Sequence, residues 1–361
     1  MMRRLLCSVS IFLIPFPAGL AAQEVRVIDT SSACHAGCIH WDVIAHLRSI
    51  DEPGGGLVGE PRTLTMNSRG EFMTTSYQVG SEIQVFHPDG TFSRTIGRDG
   101  SGPGEFRHIS FLHPGPGDSI WAFDLSGRVS ILSPDLRFIR SQRSVGHVNA
   151  GVLLSDGSWI LNEDVSIPGH RGFPLHHLSP HGEILKSFGG DPEEYQPHLP
   201  YLNQRQIAAA EHDCVWAITR TRYLVERWCV DGERHAAVER ETDWFRPYAV
   251  RNPVGQWSSI QPWVVGVQED SEGLLWVLTV VASSRWQELW DDSMSGTGQF
   301  DYRMFETVIE VLDPISGRLL ASERIPERAY GFVGPLGIYT YLEDSSGQPS
   351  IRVLSLTLDR D

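Results

Sequence analysis

The sequence predicts an all-β fold, a six-bladed β-propeller made of four-stranded antiparallel blades. One turn pattern, clearest as His-Pro-Asp-Gly, recurs along the chain and ends at Gly90, Leu136, Gly182, Gly232 and Gly317. The successive intervals are 46, 46, 50 and 85 residues, and propeller blades repeat about every 40–50 residues. In the same units, an Asp-containing turn is followed by an apolar strand that carries a tryptophan. The chain therefore repeats one four-stranded unit.

The best-defined unit lies between Arg62 and His108. Its apolar runs are separated by turns rich in Gly and Asp, which supply the backbone angles that sharp reversals need. Strands are expected at residues 62–66, 72–75, 83–86 and 91–96. Because one sheet of this size cannot bury both of its faces alone, it is expected to pack against its repeats.

Five complete blades and one shared blade account for the repeats. The complete blades are expected at about residues 62–97, 107–145, 149–189, 205–240 and 263–325. The last unit, residues 329–358, holds only three strands, and a lone strand at 42–50 precedes the first unit. Pairing this N-terminal strand with the last three closes the ring and removes the open sheet edges.

The segment IQVFHPDGTFSRTIGRDGSGPGEF, residues 83–106, resembles the blade ends of NHL-repeat-like six-bladed propellers. It is particularly similar to secreted bacterial proteins known only as six-bladed β-propellers. The match is sharp through about Asp124 and consists of spacing and turns beyond it. The resemblance implies the fold, whereas propellers of this kind include lactonases, lyases and pure binding modules.

The N-terminus reads as a signal peptide over residues 1–22. Arg3 and Arg4 precede an apolar run at residues 5–16, and small residues follow at 18–22. We expect cleavage near Ala21 or Ala22 and a secreted or periplasmic protein. No other stretch is apolar and long enough to span a bilayer.

Net charge excludes one class of partner. The formal net charge is −15, whereas nucleic-acid binding requires a basic footprint. We therefore expect no nucleic-acid partner. The protein is also expected to be a monomer.

Four cysteines remain after cleavage, and an oxidising compartment favours their pairing. Cys214 and Cys229 lie in neighbouring strands, symmetric about a turn, so they face each other within disulfide reach. Two disulfides, Cys34–Cys38 and Cys214–Cys229, are the interpretation we favour. The alternative for the first pair is a metal site formed by Cys34, His35, Cys38 and His40.

Two insertions, residues 241–262 and 283–306, lengthen the fourth crossover and a loop of the fifth blade. Both are expected on one face, over the mouth of the central channel. Long aromatic-rich loops on a rigid scaffold are typical of binding surfaces. The candidate binding residues in them are Trp244, Tyr248, Trp257, Trp286, Trp290 and Tyr302. The alternative is that these aromatics only pack the insertions onto blades four and five. Trp286 and Trp290, four residues apart, would share one face of a short helix.

The inner strands are expected to begin on the same face. Their first residues include Arg62, His108 and Arg205, which would attract an anion despite the negative net charge. The alternative role of these three side chains is hydrogen bonding to neighbouring crossover loops.

We therefore expect a non-catalytic module that binds a small molecule or a protein partner through this face. No catalytic residue and no cofactor is assigned. The alternative, implied by the resemblance, is a lactonase- or lyase-like enzyme with a divalent metal in the channel. Metal ligands would then come from the starts of the inner strands, namely Glu60, His108, Asn149 and Asn203, which include no acidic cluster.

Overall fold

The structure, a computed structural model, describes residues 25–48, 56–57, 59–144, 146–250, 260–295, 301–344 and 346–359. The expected signal peptide lies outside these residues. Apart from one α-helix and short 3-10 turns, the regular structure of the described chain is β-strand, arranged in six sheets. It starts with β1 (Arg26–Val27) and β2 (Ile39–Arg48).

The remaining strands follow in chain order, blade by blade. Blade 1 contains β3 (Pro61–Met66), β4 (Phe72–Ser76), β5 (Ile83–Phe86) and β6 (Phe92–Ile96). Blade 2 contains β7 (Ile109–Pro114), β8 (Ile120–Asp124), β9 (Arg128–Leu132) and β10 (Phe138–Arg143). Blade 3 contains β11 (His147–Leu153), β12 (Trp159–Asp164), β13 (Leu175–Leu178) and β14 (Ile184–Phe188). Blade 4 contains β15 (Arg205–Ala210), β16 (Cys214–Thr219), β17 (Leu224–Cys229) and β18 (Arg234–Glu239).

Blades 5 and 6 complete the ring. Blade 5 contains β19 (Trp263–Glu269), β20 (Leu275–Ala282), β21 (Phe305–Asp313) and β22 (Arg318–Ile325). Blade 6 contains β23 (Ala329–Val333), β24 (Gly337–Glu343) and β25 (Pro349–Leu358), and β2 is its outermost strand. The helix α1 (Trp286–Ser295) lies between β20 and β21. Short 3-10 turns occur at Pro116–Asp118, Pro192–Glu194, Pro200–Leu202 and Tyr302–Met304.

Ring closure follows the sequence prediction. β2 pairs antiparallel with β25, from Ile39 opposite Leu358 to Arg48 opposite Ser350. The inner strands contact one another in order around the channel, and β23 contacts β3. The predicted six-bladed propeller, with a last blade closed by an N-terminal strand, is confirmed.

The recurring turn that predicted the blades has a clear physical basis. In blade 1 the Asp89 carboxylate accepts hydrogen bonds from the backbone N and the hydroxyl of Thr91, at 2.9 and 2.6 Å. Gly90 then takes a left-handed φ of 86°, which glycine adopts without steric cost. Leu136, at the corresponding place in blade 2, takes φ 61°.

The N-terminal residues 25–38, here called the strap, cross the outer edges of blades 4 and 5 before β2 begins. β1 pairs parallel with β18, and Ile28 is buried between these blades. The strap then bonds to blade 5, because Asp29 N donates to Gly317 O and Cys34 N donates to Leu320 O, at 2.8 and 2.9 Å. The sequence analysis did not anticipate this second role of the N-terminus.

Both predicted disulfides are confirmed. Cys34 and Cys38 are bonded within the strap, which rules out the alternative metal site there. Cys214 and Cys229 are bonded across directly paired positions of β16 and β17. No described helix is long and apolar enough to cross a membrane.

We call the face at which the six inner strands begin the top face. Crossovers between blades and the loops joining second to third strands emerge there and bond to each other. Ile109 N donates to Gly80 O at 2.6 Å, and Val264 N donates to Arg220 O at 3.0 Å. These bonds fix each loop against the inner strand of the following blade.

Candidate functional site: the mouth of the central channel

The central channel is a cavity of about 660 Å³ lined by the inner strands of all six blades. Its rim on the top face carries the side chains of Arg62, Tyr77, His147, Gln204, Arg220, Trp263 and Arg328. Asp and Glu side chains are absent from the described channel lining. The mouth is therefore cationic although the protein as a whole is acidic.

Arg62, at this rim, has no carboxylate partner among the described residues. It is half-buried, and its guanidinium carbon lies 5.2 Å from the ring centroid of Tyr77. Burial lowers its pKa, and no carboxylate in the described ranges forms an ion pair with it. Tyr77 itself is 51% exposed. A positive charge and an open aromatic face thus stand together at the mouth.

Two imidazoles flank Arg62. Burial, and then the charge of Arg62, lower the pKa of both His108 and His147 below the ordinary value of 6.5. His108 takes a left-handed φ of 57°, and a side chain at Gly80 would put its Cβ 2.5 Å from Nδ1 of His108. Gly80 therefore makes room for this ring, which lies in a cleft of about 470 Å³ between blades 1 and 2. Both imidazoles are neutral at pH 7, so the positive charge here belongs to Arg62.

The other rim arginines are occupied. Arg328 Nη1 lies 3.0 Å from a carboxylate oxygen of Glu60. Its guanidinium carbon also lies 5.5, 5.5 and 4.4 Å from the ring centroids of Trp263, Phe305 and Tyr330. Arg220 Nη1 donates to Gln204 Oε1 at 3.1 Å.

Arg205 is placed differently from the sequence expectation that put it at the mouth. Its Nη1 donates to the carbonyls of Leu202 and Gln204, at 2.6 and 3.4 Å, within the crossover before β15. Burial lowers its pKa to about 10. It is absent from the channel lining, so its side chain holds the crossover, as the hydrogen-bonding alternative described.

The aromatic residues of the second insertion pack on the protein. Trp286 and Trp290 lie on α1, as predicted, and both are half-buried in a cluster with Trp263 and Phe305. Ile260, at the end of the first insertion, joins the same cluster, so the described ends of the insertions meet. Tyr302 contacts Tyr341 edge to face, with centroids 4.9 Å apart.

The first insertion also packs inward. Trp244 lies against Tyr223 and Phe245, with ring centroids 6.3 and 6.0 Å away. Tyr248 N donates to Thr221 O at 3.2 Å, which anchors the segment to blade 4. Trp257 lies outside the described residues.

The ligands expected for a metal in the channel do not converge. Glu60 pairs with Arg328, and the carbonyl of Asn203 accepts from Asn162 Nδ2 at 2.8 Å. Asn149 lines the channel, whereas His108 lies in the side cleft. In the described part of the chain, the one close group of three candidate ligands is Cys229, Asp231 and His235, and Cys229 is in a disulfide. The donor set at the mouth suits an anion better than a hard divalent cation.

The sequence analysis named Arg62 and His108 as candidates and did not name Tyr77, His147 or Arg328. His147 was missed because the third inner strand was expected to start at residue 149 and starts at His147. Tyr77 and Arg328 lie just outside the strands, where no periodic pattern points to them. The usable signal is position, since residues beside several inner-strand starts, among them Arg62, His147 and Arg328, line the channel mouth.

Comparison with solved structures supports the fold. An exported-type protein from Bacteroides fragilis matches with a TM-score of 0.61 and 14% identity, covering 93% of this chain and all of the other. A member of the DUF4221 family from Bacteroides vulgatus matches with a TM-score of 0.58 and 8% identity, covering 89% of this chain and 99% of the other. Virginiamycin B lyase from Staphylococcus aureus gives a TM-score of 0.47 at 10% identity, covering 88% and 100%. At these identities the likeness concerns the fold alone.

No protein-family model matches the chain, and no curated protein matches its sequence. The resemblance to NHL repeats therefore stays a prediction.

Proposed function

We propose that this protein is an extracytoplasmic binding module that holds an anionic ligand at the top mouth of its channel. The observation that carries the proposal is Arg62, a half-buried cation with no carboxylate partner in the described structure. Keeping an arginine partly desolvated and unpaired costs stability. An anion that completes the ion pair in the bound state would offset that cost.

The surroundings of Arg62 favour the same ligand. The guanidinium presents several N–H donors in a fixed fork that suits a carboxylate or phosphate. Arg220 adds positive charge to the rim, whereas the charge of Arg328 is paired with Glu60. The described lining itself contains no Asp or Glu side chain. A cleft lined by one sign of charge concentrates oppositely charged ligands.

Three observations support the extracytoplasmic location. Two disulfides are typical of proteins in oxidising compartments. The sequence of residues 1–22 has the pattern of a secretory signal, and one structural neighbour is described as exported.

The test compares two surfaces of the top face. The mature protein is dialysed against a small-molecule extract, and the retained anions are identified by negative-ion mass spectrometry. We expect Arg62→Gln to lose the retained anion, because the charged donor is removed. The double variant W286A/W290A should lose stability by about 3 kcal/mol, as truncation of packed aromatics does, and retain the anion in proportion to folded protein.

Arg140→Gln is the matched control, since Arg140 lies on the outer strand of blade 2 and contacts Gln142. An anion that is retained by R62Q and lost from a folded W286A/W290A variant would move the site from the mouth to the insertions. Equal retention by all variants would refute an anion site on the top face.

A further inference from the structure

Below its cationic rim, the channel has an apolar wall. Each inner strand contributes one half-buried apolar side chain to it, namely Met66, Phe111, Leu153, Ile207, Val265 and Phe332. Half-exposed apolar groups in the middle of a fold are unusual, because filling the space with larger side chains would remove them from water. This propeller leaves the space open.

Two glycines help to keep the channel open. A Cβ at Gly151 would lie 3.0 Å from the ring of Phe111, and a Cβ at Gly266 would lie 2.8 Å from the ring of Phe332. Each aromatic ring therefore packs against a neighbouring inner strand at a position where only glycine leaves room. The rings form wall surface and leave a cavity of about 660 Å³, a volume suited to a small organic ligand.

The polar groups below the rim carry no charge. His113 lines the channel, and burial lowers its pKa to about 4, so its imidazole is neutral at pH 7. Its Nδ1 is bonded to the carbonyl of Pro114, and its ring contacts Trp159 edge to face at 5.0 Å. The remaining polar side chains of the lining are amides, hydroxyls and the phenols of tyrosines. Charge is thus confined to one end of the cavity.

We infer that the ligand is an amphipathic organic anion, whose anionic head binds Arg62 and whose apolar body enters the channel. This inference rests on the proposed function and adds the ligand class. A small inorganic anion would leave the apolar wall in contact with water, and a neutral apolar molecule would leave Arg62 without its counter-charge. An amphipathic anion satisfies both ends of the cavity at once.

Alkanoates are suitable probes because the head and the body can be varied separately. Acetate, hexanoate and octanoate are titrated calorimetrically into the mature protein below their micellar concentrations, with 1-octanol as the uncharged counterpart of octanoate. We expect affinity to rise by up to about fourfold for each methylene that is buried. Octanoate should bind at least about tenfold more tightly than 1-octanol, because a charge-assisted hydrogen bond to Arg62 is made only by the carboxylate.

Three variants locate the two ends of the ligand. R62Q should reduce octanoate affinity to that of 1-octanol and leave 1-octanol unchanged. Val265→Thr adds a hydroxyl at nearly constant volume, so it should weaken octanoate and leave acetate unchanged. R140Q should change neither, and circular dichroism checks that each variant is folded.

The outcomes separate the inference from the proposed function. If acetate, hexanoate and octanoate bind equally and all are lost in R62Q, the anion site stands and the amphipathic class is refuted. If no alkanoate binds the wild type, the amphipathic ligand class is refuted. The proposed anion site at Arg62 is then tested by the dialysis experiment alone. If 1-octanol binds as tightly as octanoate and R62Q changes neither, the anion-binding role of Arg62 is refuted as well.

Discussion

Two buried carboxylates, Glu310 in blade 5 and Glu163 in blade 3, differ in the charge that lies beside them. Glu310 is 1% exposed, its Oε1 lies 3.3 Å from Arg240 Nη2, and its Oε2 has no hydrogen-bond partner in the described structure. In blade 3, Glu163 is 3% exposed, and its Oε1 has no hydrogen-bond partner in the described structure. Two rim arginines also differ in their contacts. Arg328 pairs with Glu60 and lies against three aromatic rings, whereas Arg62 lies against Tyr77 and has no ion pair among the described residues.

The elements that are added to the six four-stranded sheets lie on blades 4 to 6. The strap, both disulfides, α1 and the described insertion residues cover or join blades 4 to 6. Blades 1 to 3 have plain four-stranded sheets. The comparison shows that the reinforcing elements lie on one half of the ring and Arg62, the proposed anion-binding residue, lies on the other.

The largest expected effect tests the reinforcement. Deleting residues 23–50 removes the strap and β2, which exposes β25 along its whole length and uncovers the outer edges of blades 4 and 5. Unpaired strand edges aggregate, so we expect aggregation or loss of the cooperative thermal transition. Size-exclusion chromatography and thermal melting check this, and an unchanged melting temperature would contradict the closure of the ring by β2.

A smaller effect compares a paired charge with an unpaired one. Glu310→Gln leaves the largely buried Arg240 without its counter-charge, and breaking a buried pair in this way costs about 3–5 kcal/mol. R62Q breaks no ion pair and removes a partly desolvated charge, so we expect its unfolding free energy to equal or slightly exceed that of wild type. Urea unfolding of both variants measures the difference. Equal losses would show that the two arginines are held in the same way.

The last prediction concerns Glu163, beside the crossover that leads to His147. Ser144 Oγ donates to its Oε2 at 3.3 Å, but burial dominates and raises its pKa from 4.5 to about 7. Between pH 4.5 and about pH 7, Glu163 is protonated in the folded state and ionised in the unfolded state. The unfolding free energy therefore falls as pH rises through this window.

Glu163→Gln removes that penalty. The variant should match the wild type below pH 4.5 and exceed its stability by about 3 kcal/mol above pH 7. The difference between the two proteins is measured from pH 4 to pH 8. It isolates Glu163 from His113 and His176, in which burial lowers the pKa to about 4. A pH-independent difference would contradict the shift.

The fold could be predicted because its signals are local. Each of the five complete blades contains a recognisable turn sequence. Cys214 and Cys229 are symmetric about a turn, so their pairing follows from strand register. The strap could not be predicted in this way. β1 has two residues, too few for a periodic pattern, and its partner β18 is more than 200 residues distant along the chain.

The candidate site was predicted in part. Arg62 and His108 were named because they stand at inner-strand starts, whose common face follows from the topology. Arg62 lines the channel, whereas His108 lies in the side cleft. The role of the tryptophans in the insertions was ambiguous. Their number shows that apolar surface must be covered, but it does not show whether the protein or a ligand covers it. In the structure, Trp286 and Trp290 are covered by the protein itself.

The pairing of β2 with β25 has a consequence for the order of folding. About 300 residues separate the end of β2 at Arg48 from the start of β25 at Pro349. At roughly 5–20 residues per second, synthesis of that interval takes about 15–60 s. During this time β2 has no partner, although Val43 and Ile44 expose apolar surface even in the finished protein. The first long strand to be made is therefore the last to be paired, and a growing chain needs protection at its beginning until its end has been made.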